Sequence, residues 1–528
     1  MIGAGMEAET RAPADETLVS LGQRSFRGML WMSTGVVGQV VVQVVVLSVL
    51  ARQVSPSAFG VATAALVVLA LSVTIADVGV GPAIVQRRDL ERDHVRVAIT
   101  VSALLGLMIW GVLVAAAPAI AGLFAIPALT PVLRVMGATF FLRSLTVGDH
   151  LLQRDLDFRR LTAVELIALI AGYGATSVVL ALAGAGVWAI VWGHVAWAGL
   201  RTVLLWVVRP HPWRPSLARR PLAQLVRFGA ALTVAQVAWV VAIQGDNFVV
   251  GRWLGTNALG LYGRAYQLMA LPAILFGQVA NKVLFPAMAS VQDERIRLRH
   301  AYRTSVAAIA ALTMPVSAML AVLGSEVILV VLGSEWLPLL GAFDVFVFCM
   351  FFRTSSKISD CLALATGAVY PRAVRQWVYA VLVVLGSLVG LRWGLFGVAI
   401  GVGIALLVYF LLMARLSLTL VDMSWRGFLG AHGAAVSLSL LVVAVVWPAA
   451  TALRATGAPS ILVLAGTLGT IGLVMFVVLR AAPRIPGLRG TVELLQDLRR
   501  LLGSDASRAF LDRLIGRRPE MVERESGR

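Results

Sequence analysis

Apolar runs of roughly 20 residues, the length an α-helix needs to cross about 30 Å of hydrocarbon, recur from one end of this 528-residue chain to the other. Lipid offers no water to backbone polar groups, so it admits only helices or closed barrels as spanning structures. The runs are about twice the length of a barrel strand. Charged residues make up 14% of the chain and hydrophobic ones 59%, against roughly 25% charged in soluble domains. The sequence therefore predicts an all-α polytopic membrane protein. Fourteen spans are expected, at about 27–51, 59–85, 95–117, 129–150, 161–183, 186–208, 223–250, 258–288, 302–323, 338–364, 373–391, 395–414, 428–447 and 459–479. They are called spans 1 to 14 below. Residues 324–337 are too short to cross and are expected to form a surface hairpin.

A net charge of +18 invites a nucleic-acid reading, but its distribution argues against one. Arginine and lysine are retained on the cytoplasmic side of a membrane. One set of alternate connections, with both termini, carries 35 basic residues, counting Arg201 in the loop after span 6; the other carries Arg52, Arg252, Arg392 and Arg454. The charge is thus mostly topology signal. Both termini are expected at the cytoplasmic face of the cell's inner membrane. The first 25 residues lack the apolar core of a cleavable signal peptide, so span 1 is expected to act as its own insertion signal. The two cysteines, Cys349 and Cys361, share one apolar segment and read as packing residues, and no cofactor or metal is called for.

The remaining six basic residues, Arg134, Arg143, Arg264, Lys282, Arg353 and Lys357, are assigned to spans, and two of them echo each other. Phe140 to Asp149 reads FFLRSLTVGD, and Met350 to Asp360 reads MFFRTSSKISD. Arg143 falls on Arg353 at an offset of 210, and one residue of slippage brings Asp149 onto Asp360. Two further echoes follow the same order. Leu50 to Val61 matches Val250 to Leu261 at an offset of 200, through Arg52/Arg252, Ala58/Ala258 and Gly60/Gly260. Gly186 to Ile190 matches Gly397 to Ile400 once the offset reaches 211. Spans 1–6 and 7–12 then form two pseudo-symmetric six-helix lobes. Six being even, the lobes share one orientation, a parallel repeat of the kind that holds substrate between halves in transporters. The expected organisation is a cytoplasmic segment 1–26, an N-lobe 27–208, a linker 209–222, a C-lobe 223–415, two further spans within 428–479, and a basic amphipathic tail 480–528 lying on the inner leaflet.

Phe59 to Leu90, Gln244 to Pro272 (QGDNFVVGRWLGTNALGLYGRAYQLMALP), Asn281 to Glu294 (NKVLFPAMASVQDE) and Val330 to Leu340 (VVLGSEWLPLL) follow one another in that order within residues 26–415. Together they resemble the polysaccharide-transporter branch of the multidrug/oligosaccharidyl-lipid/polysaccharide exporter superfamily. Within that branch the chain is similar to the Wzx-type flippases, which move undecaprenyl-diphosphate-linked oligosaccharides to the outer leaflet. The resemblance implies two six-helix lobes, a central cationic cavity and alternating access. It also implies a lipid-linked oligosaccharide as cargo, the bilayer as surroundings, and polysaccharide polymerase or export machinery as neighbours.

A diphosphate head needs cations facing a wet cavity, and guanidinium groups match phosphate oxygens in pairs. Arg143 and Arg353 suit that task, with Lys357 one turn beyond Arg353 on the same face. The competing reading is a structural charge cluster, or side chains that snorkel to the cytoplasmic surface. Asp77 and the pair Asp246–Asn247 are candidates for ion coupling, against a helix-pairing role. Gln39, Gln43, Gln236, Gln244 and His194 are candidate polar contacts for a cavity, against interhelical hydrogen bonding. Glu165 is expected to be solvated at the cytoplasmic end. The glycine clusters Gly79–Gly81 and Gly401–Gly403 read as close-packing sites, since no strand precedes them as a phosphate loop requires. Two alternatives remain: a drug/cation antiporter of the same superfamily, and a polyprenyl-dependent glycosyltransferase or polymerase. The second is disfavoured because the outer loops are short and no metalloprotease, nucleophile-elbow or Walker motif occurs, which also removes ATP-driven transport within this chain.

Overall fold

The computed structural model describes residues 35–76, 84, 91–211, 215–216, 239–279 and 284–481. Among these residues there is no β-strand. Apolar helices stand at the expected places: Gly35–Gln53 at span 1, Pro56–Ala76 at span 2, Arg92–Phe124 at span 3 and Val187–Val208 at span 6. Gly255–Val279 occupies span 8, Arg295–Val331 span 9, Leu340–Ala365 span 10, Val369–Gly390 span 11 and Gly394–Val421 span 12. Gly433–Ala455 and Ser460–Ala481 occupy spans 13 and 14. The protein is an all-α polytopic membrane protein. The N-terminal segment, the basic tail, most of the 209–222 linker, Asp77, Gly79–Gly81, Gln236 and Lys282 lie outside the described residues.

Two compact units divide the chain, the first ending at Gly260 and the second beginning at Leu261. In the first, span 2 meets the opening turns of the span 8 helix, up to Gly260, at a contact too tight for any side chain. A Cβ on Gly60 would lie 1.8 Å from the Thr256 carbonyl oxygen, and one on Gly260 would lie 1.8 Å from that of Pro56. Thr256 follows Pro56, and Gly260 follows Gly60, by the same 200 residues that relate the sequence echo. The contact is therefore reciprocal, each residue meeting its counterpart's partner. In the second unit, spans 11 and 12 cross through glycine backbones in the same manner. A Cβ on Gly401 would lie 2.1 Å from Gly386 O, and one on Gly390 would lie 2.4 Å from Gly397 O. Close packing accordingly accounts for Gly401.

Three local features depart from the sequence expectation. Span 4 is not one helix but three, Leu129–Met136, Ala138–Ser144 and Gly148–Arg154, with Leu145 to Val147 outside them. Irregular backbone at membrane depth requires substitute hydrogen bonds, and span 6 supplies them. Thr202 Oγ1 donates to Leu142 O at 2.8 Å, and Trp206 Nε1 donates to Leu145 O at 3.0 Å. Thr146 Oγ1 accepts from Gly148 N at 3.0 Å and opens the next helix. Span 10, its counterpart, is continuous, and the one-residue slippage between Arg143/Arg353 and Asp149/Asp360 falls where span 4 breaks.

Span 5 contains a π-helical stretch, Ala168–Ala175, between helices Phe158–Ile167 and Thr176–Leu182. Residues 324–337 form no hairpin. The span 9 helix continues to Val331 through a non-helical residue at Leu323, and a 3-10 turn, Ser334–Leu339, leads into span 10. The eight residues after Leu323 are too few to span but enough to extend an existing helix.

Candidate functional site: two arginines on aromatic rings and two polar clasps

Arg143 lies in the last turn of the middle helix of broken span 4, and it is exposed. Its Cζ lies 5.8 Å from the centroid of the Trp197 ring on span 6. Span 6 comes close enough to present that ring because Gly172, in the π stretch of span 5, leaves no side chain in the way. A Cβ there would lie 2.7 Å from the Trp197 Cα. π stretches of this kind are enriched at functional sites.

Arg353, the counterpart, is half-buried on span 10. Its Cζ lies 4.8 Å from the centroid of the Tyr266 ring on span 8, and Nη1 donates to the Tyr266 hydroxyl. Tyr266 is itself held in a buried aromatic group, 5.4 Å from Phe346 and 6.5 Å from Tyr262 between centroids. A cation over an aromatic face is attracted by the ring quadrupole, by about 0.5–1 kcal/mol when exposed and about 2 when desolvated. Each echoing arginine is therefore oriented by a ring from another span of its own unit. Lys357 sits one turn past Arg353, half-buried.

The echoing aspartates take different partners. In the first unit Asp149 Oδ2 accepts from Arg201 Nη2 at 3.0 Å, and Arg201 Nε donates to Glu165 Oε1 at 2.7 Å. Arg201 is buried within the span 6 helix. It is an intramembrane clasp, not the loop charge counted from sequence, and Glu165 is ion-paired where solvation was expected. In the second unit Asp360 Oδ1 accepts from Arg372 Nε at 2.9 Å. The Tyr409 hydroxyl lies 3.2 Å from Asp360 Oδ1 and 3.1 Å from Gln376 Oε1, with one hydrogen to share between them.

These two clusters are built to one plan. Asp149/Asp360 and Glu165/Gln376 are both related by 211 residues. In each unit a long polar side chain reaches from span 6 or span 12 to bridge them, Arg201 in one and Tyr409 in the other. Each clasp ties three consecutive spans, 4–5–6 or 10–11–12, at one end of its unit. The first holds them with charge, the second with a phenol and an amide beside the Arg372–Asp360 pair. Sequence reading singled out Arg143, Arg353, Asp149 and Asp360 but passed over Trp197, Tyr266, Arg201, Arg372, Gln376 and Tyr409. The 211-residue offset of Glu165 and Gln376 was a readable signal, and so was the position of Arg201 inside the expected span 186–208.

The remaining candidates separate. Asp246 and Asn247 are buried on span 7. Asp246 Oδ1 accepts from Asn247 N at 2.8 Å, and Asn247 Nδ2 donates to Gln244 Oε1 at 2.9 Å, so three of the named residues form one local group. His194 Nδ1 lies 2.9 Å from Ile190 O in its own helix, with its ring 4.9 Å from that of Tyr173. Gln39 is half-buried and Gln43 exposed, one turn apart on span 1. Arg264 Nη1 donates to Gln267 Oε1 within span 8. Cys349 and Cys361 are free and buried. Among the described residues no group of histidine, cysteine and carboxylate side chains is placed to hold a metal ion.

Residues 49–340 match the family model described as polysaccharide biosynthesis protein. The chain belongs to that family. Its similarity to the lipopolysaccharide biosynthesis protein WzxC of Escherichia coli (strain K12) is 25% identity over 323 residues, covering 60% of this chain and 65% of the relative. It is 22% identical over 346 residues to the teichuronic acid biosynthesis protein TuaB of Bacillus subtilis (strain 168), covering 60% of this chain and 71% of that one. It is 27% identical over 325 residues to the succinoglycan biosynthesis transport protein ExoT of Rhizobium meliloti (strain 1021), covering 60% and 64%. The matched region thus spans somewhat under two thirds of the length of WzxC and of ExoT. Among solved structures, the lipid II flippase MurJ in an inward closed conformation superposes with a TM-score of 0.64 at 14% identity, covering 86% of this chain and 96% of that one. An inward-facing multidrug resistance MATE family transporter gives 0.58 at 17% identity, covering 76% and 95%. At such identities the two structures speak for the fold: this member of the polysaccharide biosynthesis family has the helical architecture they share.

Proposed function

We propose that the chain is a flippase that moves a polyprenyl-diphosphate-linked oligosaccharide across the cytoplasmic membrane by alternating access, for cell-surface polysaccharide synthesis. The observation that carries this reading is the pair of intramembrane arginines at equivalent positions, each laid against an aromatic ring of its own unit. A guanidinium's forked donors match oxygen acceptors in pairs, and a diphosphate supplies them in pairs. In this reading Arg143 and Arg353 bind the head group, with Lys357 adding charge beside Arg353. Family membership and the names of the relatives support a polysaccharide pathway. The fold shared with MurJ and the MATE transporter supports alternating access over enzyme chemistry.

The charge asymmetry of the loops supports an inner-membrane protein with both termini cytoplasmic. It then puts Arg143 and Arg353 in the cytoplasmic half of spans 4 and 10, where a cargo is presented from the inner leaflet. The Asp246–Asn247–Gln244 group is the ion-coupling candidate among the described residues. The Asn247 Oδ1 is buried and has no hydrogen-bond partner among them, leaving an acceptor beside a buried carboxylate. Gln39, Gln43 and His194 are assigned to glycan contact. Polymerase or export proteins are the neighbours to which cargo would pass.

The test replaces Arg143 and Arg353 with glutamine together and measures export of lipid-linked glycan at matched expression. Loss of export with intact folding is expected. Unchanged export would end the cationic-cavity account, and sugar transfer from an activated donor by the purified protein would end the transporter account.

A further inference from the structure

Spans 13 and 14 lie beyond residue 340, where the family match ends, and sequence alone assigns them no role. They pack around one irregular point in the second unit. Span 9 runs from Arg295 to Val331 with a single residue out of helical geometry, Leu323 at φ −106° and ψ 15°. Gly324 and Ser325 follow it, and a glycine–serine pair is a usual site of sharp helix kinks.

The two sides of this kink are gripped differently. Towards span 10, Gly324 permits close approach, since a Cβ there would lie 3.2 Å from Leu340 and 3.3 Å from Phe343. Towards span 13, Arg454 closes a two-pronged ion pair, with Nε at 2.7 Å from Glu326 Oε1 and Nη2 at 2.7 Å from Glu326 Oε2. Nη2 also donates to Val322 O at 2.9 Å, the carbonyl immediately before the kinked residue. Glu326 is buried, and Ser325 Oγ donates to its second oxygen at 3.0 Å. An apolar cluster surrounds the point: Leu323 packs with Val442, Val446 and Ala450 of span 13 and Val463 of span 14.

We infer that spans 13 and 14 act as a strut that sets the bend in span 9, with Arg454 as the clamp. One guanidinium does two tasks there. It holds the carboxylate past the kink and satisfies a carbonyl before it, so both arms of the bent helix are fixed to span 13. The inference stands apart from the flippase reading, because it concerns how one helix is held and its test reads no transport.

The experiment is hydrogen–deuterium exchange on the full chain in lipid nanodiscs, comparing the native protein with Arg454→Ala, Glu326→Ala and the double variant. A peptide covering 319–333 is expected to exchange at least about tenfold faster in either single variant, the change that about 1.4 kcal/mol of lost local protection produces. Peptides from spans 4–6 are expected to stay unchanged. The double variant is expected to be no faster than the singles, since both remove one interaction. Should Arg454→Ala fail to accumulate, Arg454→Lys carries the same expectation, because an ammonium keeps the charge but not the fork. Unchanged exchange at 319–333, or a uniform rise across both units, would overturn the clamp.

Discussion

Replacing Arg201 tests whether the charged clasp holds spans 4, 5 and 6 together. Arg201 makes two ionic hydrogen bonds, to Glu165 at 2.7 Å and to Asp149 at 3.0 Å, from a side chain 8% exposed. A hydrogen bond to a charged group is worth about 1.5–3 kcal/mol, and breaking a buried pair by removing one partner costs about 3–5. The stranded carboxylates keep 16% and 24% exposure and regain some water, which places Arg201→Ala near the lower part of that range, about 3–4 kcal/mol. Tyr409→Phe removes the equivalent bridge in the second unit but leaves the Arg372–Asp360 pair intact. One neutral hydroxyl with a shared hydrogen is worth about 0.5–1.5 kcal/mol. Equilibrium unfolding by SDS titration in mixed micelles is expected to rank Arg201→Ala well below Tyr409→Phe. Equal losses for the two variants would refute the reasoning.

Gly60→Ala or Gly260→Ala is expected to reduce stability by about 1–3 kcal/mol or more, because each new Cβ would fall 1.8 Å from a carbonyl oxygen of the facing helix; thermal unfolding followed by size-exclusion chromatography measures it, and the two substitutions should cost alike. His211 lies beyond span 6, where burial holds its pKa below the ordinary histidine value, with the Arg209 charge adding to the effect. Its ring stacks on Trp206 at 4.0 Å, and Nδ1 lies 2.8 Å from Arg209 O. The folded state therefore favours neutral His211. The stability this contributes is complete above the unfolded pKa near 6.5 and is lost as pH falls from there through the lowered folded value. His211→Gln should flatten the stability profile in that window, which a pH series of thermal melts would reveal.

Legibility from sequence followed from how local each signal was. A run of twenty apolar residues states its own fate in lipid, because the cost of unpaired backbone groups leaves helix as the only local solution. The spans, and the echo of Arg143 with Arg353, were readable for that reason. What each echoing residue touches was not. Arg143 and Asp149 stand six residues apart, yet one meets Trp197 and the other Arg201, because span 4 breaks between them and span 6 caps the break. Arg201 looked like a loop charge because composition records that a residue is basic, not which carboxylates surround it. Likewise the segment after Leu323 looked like a separate hairpin, since a kink held by Arg454 comes from a residue 128 positions along the chain.

By itself, then, the sequence determined the helical class, the places of the apolar helices among the described residues and the echo of the two arginines. Tertiary structure decided which rings orient those arginines, that the two clasps share a geometry but differ in charge, and that span 9 is bent. The division has a physical reason. Burial of apolar surface and backbone pairing within a helix depend on neighbours a few residues away, whereas ion pairs and cation–π contacts depend on groups that only packing brings within about 4–6 Å.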